Sequence, residues 1–412
     1  MGFQSGLSGL NAASKNLDVI GNNVANAQVA GFKGSVTQFA EMYAASLGNG
    51  DTTAAGIGSK VQNVSQLFNQ GNISPTNNPL DIAVTGRGFF RLNDNGAIAY
   101  SRNGQFKLDS QGYIVSPQGL NLTGYGVDNN GNIVNSNPEP IRMNSAALAP
   151  QATDQFEATL NLDSRSSVPP VGTFDPTNTQ SFNFATSATL YDSLGNAHVF
   201  SMYFVRAAAP GTWSAFGTVD GGPVADVNLG AGAGLPATLA FNSSGTLSTA
   251  MPINASVAVN TGAQTPLAFT LDFSGTTQYG AISSVGALSQ TGYTSGRLVG
   301  FDIAQDGVIA GRYSNGQTRT VAQIVLADFV NPQGLSPAGD NVWAETVQSG
   351  LPLVGAPGSG TLGNLQSSAV EESNVDLTAE LVNLITAQRN YQANAQTIKT
   401  QDAVLQTLVN LR

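Results

Sequence analysis

Residues able to do chemistry are scarce in this chain of 412 residues: there is one histidine, His198, and no cysteine. Thiol chemistry and disulfide staples are excluded, and a Ser-His-Asp arrangement would have to be built on His198 alone. His198 follows the turn DSLG at 192 and opens the run HVFSMYFV, in phase with Phe200, Met202 and Phe204. Alternating residues share one face of a strand, so His198 reads as a strand residue near a hairpin mouth. The segment DNNGN at 128 places Glu139 at the twelfth position of a calcium loop. However, Ile133 stands at its sixth position, where that loop requires Gly, and a β-turn is the better reading. LGAGAGLP at 229 lacks the helix and the Lys of a phosphate cradle. Glu371 and Glu372 are adjacent, and adjacent helical residues do not face one another. They read as favourable first-turn charges of a C-terminal helix. No catalytic residue, metal, cofactor or small-molecule ligand is expected.

The informative chemistry is apolar and lies at the two ends. Phe3, Leu10, Leu17 and Val24 fall at seven-residue intervals, with Ala13, Ile20 and Ala27 three residues later. Near the C-terminus Leu377, Leu384, Tyr391, Ile398 and Leu405 form a second such row, flanked by Leu381, Ile385, Ala395, Leu408 and Val409. Both have the spacing of a coiled-coil seam. No Gly or Pro interrupts residues 376–411, and Ser373 with Asp376, or Ser368 with Glu371, has the spacing of a capping box at the start. The N-terminal stripe is built from poorer helix formers. In LDVIGNNVANAQVAGFK, Gly31 reads as the helix stop, with Phe32 and Lys33 opening a linker. Asn22, Asn23 and Asn26 fall off the seam, where their amides are available to adjacent subunits or channel water. Pairing the two helices alone would leave Leu7, Leu381, Ile385 and Leu408 uncovered. The stripes therefore read as a self-assembly surface, with an N-terminal helix that becomes stable once neighbouring subunits cover it.

The middle of the chain has a different period. LAFTLDF and HVFSMYFV alternate, and shorter strand-like runs occur at DIAVTG, GFFRL, QFKL, GYIV and VAQIVLADFV. Four-residue turns ending in Gly recur at NDNG 93, DSQG 109, DNNG 128, DSLG 192, NSSG 242, DFSG 272 and YSNG 313, each with its Gly placed for positive φ. The expected fold is mainly β with α-helical termini: nested discontinuous domains, the helices forming a coiled-coil-like layer around two β-sandwich or barrel-like domains. Composition shifts at 136–154 and 280–296 place an inserted outer β domain at 148–292, inside a discontinuous β domain of 71–147 and 293–366. Residues 31–70 read as an irregular linker with few apolar anchors, among them Phe39, Met42 and Tyr43. Residues 1–30 and 370–412 make up the terminal helical domain. Charged residues are only 10%, against about 25% in ordinary domains. That fits either burial against copies of the chain or a β-rich protein with polar uncharged surfaces. The net charge of -10 argues against nucleic acid. No apolar run reaches the ~18 residues of a membrane span. The start MGFQSGLSGLNAASK has no basic n-region or apolar h-region, so no cleavable secretory signal is expected.

These residues resemble a family. SGLNAASKNLDVIGNNVANAQVAGFK is similar to the N-terminal signature of the bacterial flagellar rod and hook axial proteins. NPLDIAVTGRGFFRL and YSRNGQFKLDSQGYIVSPQGLNLTGYGVD resemble the β domain these proteins share. SNVDLTAELVNLITAQRNYQANAQTIKTQDAVLQTLVNL resembles their C-terminal helix, and ATLYDSLGNAHVFSMYFVRAAAPGTWSAF the extra domain of the hook members. The resemblance implies a non-enzymatic subunit of the flagellar hook, a tubular helical homopolymer acting as a universal joint between rod and filament. It implies export through the flagellar type III apparatus to an extracellular place on the basal body. The implied partners are the distal rod, hook cap, hook–filament junction and hook-length control proteins. Another axial subunit, distal rod or junction, is the alternative within the family. In another class, the alternative is an extracellular β-sandwich carbohydrate-binding module or glycosidase, for which Trp213 and Trp343 are the only tryptophans.

Overall fold

The structure, a computed structural model, describes residues 2–42, 58–128, 131–144 and 146–410, except the side chains of residues 2 and 408–410. Helix α1 spans Gly2–Ala25 (24 residues). An antiparallel pair follows, β1 (Ser35–Met42) with β2 (Gly58–Gln66). The 31–70 segment is thus not the irregular linker its Gly, Ala and Asn content implied. Val36, Phe39, Val61 and Val64 supply β-branched and aromatic residues to a two-stranded ribbon that α1 packs against. Tyr43 lies outside the described residues.

The chain divides into two compact units. The first comprises Met1–Ser145, Gly300–Arg312 and Thr318–Arg412. In it, strands β3 (Ile73–Pro75), β4 (Ile82–Thr85), β5 (Phe89–Asp94) and β6 (Ala97–Ser101) are joined by later segments of the chain. Strand Asn364–Ser367 pairs with β4 and Ala369–Glu371 with β3, both antiparallel. In the main sheet, Thr318–Ile324, Asn121–Tyr125, β5, β6, Val342–Ala344 and Ser336–Gly339 are successive neighbours. Phe89, Tyr100, Phe329 and Trp343 form its aromatic core, with edge-on ring centroids 4.8–6.0 Å apart.

The second unit, Ala146–Val299 with Tyr313–Gln317, is a sandwich. One sheet runs Phe184–Tyr191, Ala197–Arg206, Thr212–Val219, Ala237–Ala240. The other runs Val227–Asn228, Ile253–Val257, Leu267–Asp272, Gln155–Asn161, Ser284–Gln290. The alternating residues of both runs singled out by the sequence, Phe200, Met202 and Phe204 with Leu267, Phe269, Leu271 and Phe273, meet in one core with Trp213. All seven turn glycines, at 96, 112, 131, 195, 245, 275 and 316, have φ between 80° and 107°. The Asp128 turn closes with Asn132 N donating to Asp128 Oδ1 at 2.8 Å. Among the described residues no group of three His, Asp or Glu side chains is placed to hold a metal, and no helix is long and apolar enough to cross a membrane.

Helix α2 spans Leu377–Asn410, 34 residues and roughly 51 Å. Neither expected capping box forms. Asp376 itself is the cap: its Oδ1 accepts the amides of Thr378 at 2.9 Å and Ala379 at 3.1 Å. A carboxylate directly before the first helical residue reaches these free N–H groups without a partner three residues on.

Candidate assembly surface and its buried junction

Helix α1 packs on α2 and on the β1–β2 ribbon, burying Ala12, Ala13, Val19 and Ile20 within its own chain. Small residues set the closeness of the helix pair. A Cβ added at Gly6 would lie 3.0 Å from Ile398 Cγ1, and one at Gly9 2.7 Å from Asn394 Oδ1. Of the residues expected at the seam, Leu10, Leu17, Val24, Leu384 and Ile398 are half-buried in the single chain, and Ile20 is buried. Phe3, Leu7, Leu377, Leu381, Ile385, Tyr391 and Leu405 are exposed, and Val382 and Val404 beside them are exposed too. The side chain of Leu408 lies outside the described residues. The α2 stripe therefore divides into a narrow inner edge that meets α1 and a broad outer face that the chain leaves open.

The junction below the helices differs most from the sequence reading. Helix α1 ends at Ala25, and turns carry the chain to Gly31, so Gly31 is not the helix stop. Its φ of 70° and its lack of a side chain serve a close approach instead. A Cβ there would sit 2.5 Å from Asn103 N and 2.6 Å from Arg102 C, while Gly31 N donates to Glu371 O at 2.7 Å. We expect Gly31→Ala to cost about 2 kcal/mol or more, left-handed backbone strain plus displacement of the 102–103 backbone. An unfolding free energy in urea within about 0.5 kcal/mol of the parent's, the scatter of neutral surface changes, would count against this contact.

Asn23 is likewise not free for neighbours. It is almost fully buried: its Nδ2 donates to Ser35 O (2.8 Å) and Glu380 Oε1 (3.2 Å), and its Oδ1 accepts Ser35 N (2.9 Å). Asn26 Nδ2 turns back to Asn22 O at 2.9 Å. An amide that satisfies both backbone groups of Ser35 substitutes for a third strand at the ribbon's start. Phe32 is half-buried. From the C-terminal side, Asn374 Oδ1 accepts Gly34 N at 2.8 Å, and its Nδ2 donates to Leu67 O at 2.6 Å.

Glu371 is not a helix first-turn charge. It ends the strand Ala369–Glu371 and is 1% exposed, as is Lys33, with Arg102 at 4%. Lys33 Nζ lies 2.6 Å from Glu371 Oε1 and donates to Asn69 O at 2.7 Å; Gly71 N donates to the same carboxylate oxygen at 2.9 Å. Arg102 Nη1 lies 3.2 Å from Glu371 Oε2, its Nη2 donates to Gly86 O at 2.7 Å, and its Cζ sits 5.4 Å from the Phe89 ring centroid. Burial pushes the Lys33 ammonium below its ordinary pKa, and the Glu371 charge opposes that shift. Arg102 is pulled down by burial in the same way and held up by Glu371. Lys33 precedes the ribbon, Arg102 follows β6 and Glu371 precedes α2. One carboxylate thus fastens three distant parts of the chain at the root of the helices. Arg102 escaped the sequence reading and Glu371 entered it only as a helix-end charge; the available signal was the rarity of charge in an otherwise apolar and amide-rich chain.

Family models match both ends and the middle. These are the flagella basal body rod protein at 3–33, the flagellar hook protein FlgE/F/G D1 domain at 83–163, the flagellar basal body protein FlaE D2 domain at 161–293, and the flagellar basal body rod FlgEFG protein C-terminal at 366–411. The chain is 44% identical over 417 residues to the flagellar hook protein FlgE of Escherichia coli (strain K12), covering 100% of both. It is 43% identical over 416 residues to that of Salmonella typhimurium, again over 100% of both. With that of Borreliella burgdorferi the identity is 31% over 449 residues, 99% of this chain and 98% of the relative. In fold it is similar to the crystal structure of the Helicobacter pylori flagellar hook protein FlgE2, with a TM-score of 0.50 at 13% identity, covering 72% of this chain and 100% of that one. With whole-length identity at this level, and with family models matched at both ends and in the middle, the chain belongs to the flagellar hook protein FlgE family.

Proposed function

We propose that this chain is a structural, non-catalytic subunit that polymerises with copies of itself through α1 and α2 into the tube of the flagellar hook. The observation that carries this reading is the open apolar face of α2, continued by Phe3 and Leu7 on α1. A 34-residue helix in water gains nothing from the exposed row of Leu377, Leu381 and Ile385, nor from the exposed Tyr391 and Leu405 further along. Covering each aliphatic side chain contributes about 1.5–3 kcal/mol before ordering costs. In this reading the two helices line the inner tube, and the polymer forms a universal joint between rod and filament. Its neighbours would be the distal rod, hook cap, hook–filament junction and hook-length control proteins, reached by export through the flagellar type III apparatus. Residues 1–30 and 370–412 are the part we assign to assembly, and 148–292 the outer domain. Concentrated full-length protein is expected to form curved tubes in negative-stain electron microscopy. Discrete monomers at every concentration and salt tried, from protein whose β units are folded by circular dichroism, would overturn the reading.

A further inference from the structure

We propose that His198, held as an imidazolium between two carboxylates, is a pH-sensitive clamp that keeps one end of the second unit closed while the ring is doubly protonated and releases it when the ring loses a proton. His198 is 3% exposed, and both its ring nitrogens face carboxylates. Nδ1 lies 2.6 Å from Asp220 Oδ2, and Nε2 lies 3.2 Å from Asp192 Oδ2. A carboxylate only accepts, so both nitrogens must donate, and only the charged ring carries two N–H groups. A neutral ring would set a nitrogen lone pair against a carboxylate in a buried place.

The three partners come from different parts of the sandwich. Asp192 opens the turn before strand Ala197–Arg206 and is fully buried; its Oδ1 accepts the amides of Leu194 and Asn196, each at 2.9 Å. Asp220 follows strand Thr212–Val219 with φ of 49°, and its Oδ1 accepts Val199 N at 2.7 Å. From the opposite sheet, the loop after Ile253–Val257 brings Thr261, whose hydroxyl donates to Asp192 Oδ2 at 2.5 Å. The same loop donates Gln264 N to Ser193 Oγ at 3.0 Å. The clamped turn also seats the segments by which the chain enters and leaves the unit. A Cβ at Gly195 would lie 2.7 Å from Pro150 Cβ and 3.3 Å from Thr294 Cα, and those segments pair at Leu148 with Gly296 and at Gln151 with Tyr293. Loosening the turn loosens that seat.

The ionisable groups facing the ring are the two carboxylates. Burial works against the imidazolium charge, but the bonds to Asp220 and Asp192 outweigh it and raise His198 above its ordinary 6.5. Burial also opposes the Asp192 charge, and the bonds from Thr261, Asn196 and His198 outweigh it, holding that carboxyl well below the usual range. A raised folded value means that the clamp's stabilisation is complete below 6.5 and is lost as pH rises through the raised value.

His198 is the only histidine, so full-length protein labelled at histidine yields a single ring signal. Both ring nitrogens should be protonated at pH 6.5, with a titration midpoint above 6.5. A neutral tautomer at that pH, or a midpoint at or below it, overturns the proposal. In hydrogen exchange, protection factors for 192–196 and 259–265 should fall as pH rises through the measured midpoint of the ring, and protection that persists past that midpoint also overturns the proposal. Asp220→Asn keeps an acceptor at a half-exposed site and should lower the midpoint while the chain stays folded; an unchanged midpoint counts against the clamp.

Discussion

Glu371→Ala is expected to destabilise the first unit by about 3–5 kcal/mol, the cost of leaving buried charge without its partner. Two cations, Lys33 and Arg102, share this carboxylate, and neither reaches water: both are nearly fully buried. The substitution also orphans Gly71 N, which donates to Glu371 Oε1. Removing one cation should cost less. Lys33→Met keeps the Arg102–Glu371 pair and replaces the stem with an apolar chain of similar length, while Asn69 O and one carboxylate oxygen lose a donor. Substituting all three residues by apolar ones of similar volume should recover much of the loss, since the desolvation of the ions disappears with them. The measurement has an internal control. Trp343 lies in the core of the first unit and Trp213 in that of the second. Single-Trp variants (Trp213→Phe or Trp343→Phe) followed in urea should show the Trp343 transition move and the Trp213 transition stay. A loss below ~1 kcal/mol on the Trp343 transition, the range of exposed pairs, would mean that the triad is solvated in the native protein.

What the sequence disclosed and what it hid divide along a physical line. Periodicity is a local property, and it was sufficient for both helices, for the strands around Phe200 and Phe269 and for all seven turn glycines. Gly in the fourth place of an Asp- or Asn-led turn has one dominant reason to be there, positive φ. The junction rests instead on contacts of long sequence separation. Nothing within ten residues of Lys33 indicates that its partner is Glu371, and Asn23 reads as a poor helix former until Ser35 is seen beside it. Gly31 illustrates the same limit. A glycine after a helical run looks like a C-cap, while the actual constraint is the backbone of Arg102 and Asn103 pressed against it. The ribbon of β1 and β2 was hidden for another reason: two strands alone carry a weak pattern, and these gain their stability from α1. The apolar rows were visible as rows, but which members turn inward was not, because that depends on the facing helix, where Gly6 admits Ile398.

Leu381→Asp with Ile385→Asp should abolish tube formation while leaving the monomer folded. These residues are 44% and 49% exposed, so each lies on the open side of α2 rather than against α1. In the free chain the change costs only helix propensity, about 0.5 kcal/mol or so per site. In a covered interface it removes two aliphatic contacts of about 1.5–3 kcal/mol each and buries two carboxylates whose effective desolvation penalty is several kcal/mol apiece. A repeating polymer meets that penalty at every subunit, so even a part of it suffices to prevent nucleation. Leu384 and Ile398 make the useful contrast. Both are half-buried, and Ile398 sits against Gly6, so aspartate there would damage the helix pair as well as any outer contact. Sedimentation should therefore find the 381/385 variant monomeric with the parent's thermal transition, and the 384/398 variant monomeric with a lowered one. Curved tubes formed in normal yield by the 381/385 variant would mean that this face of α2 looks onto water in the polymer. The seam would then have to lie elsewhere, on the side of α1 that carries Phe3 and Leu7.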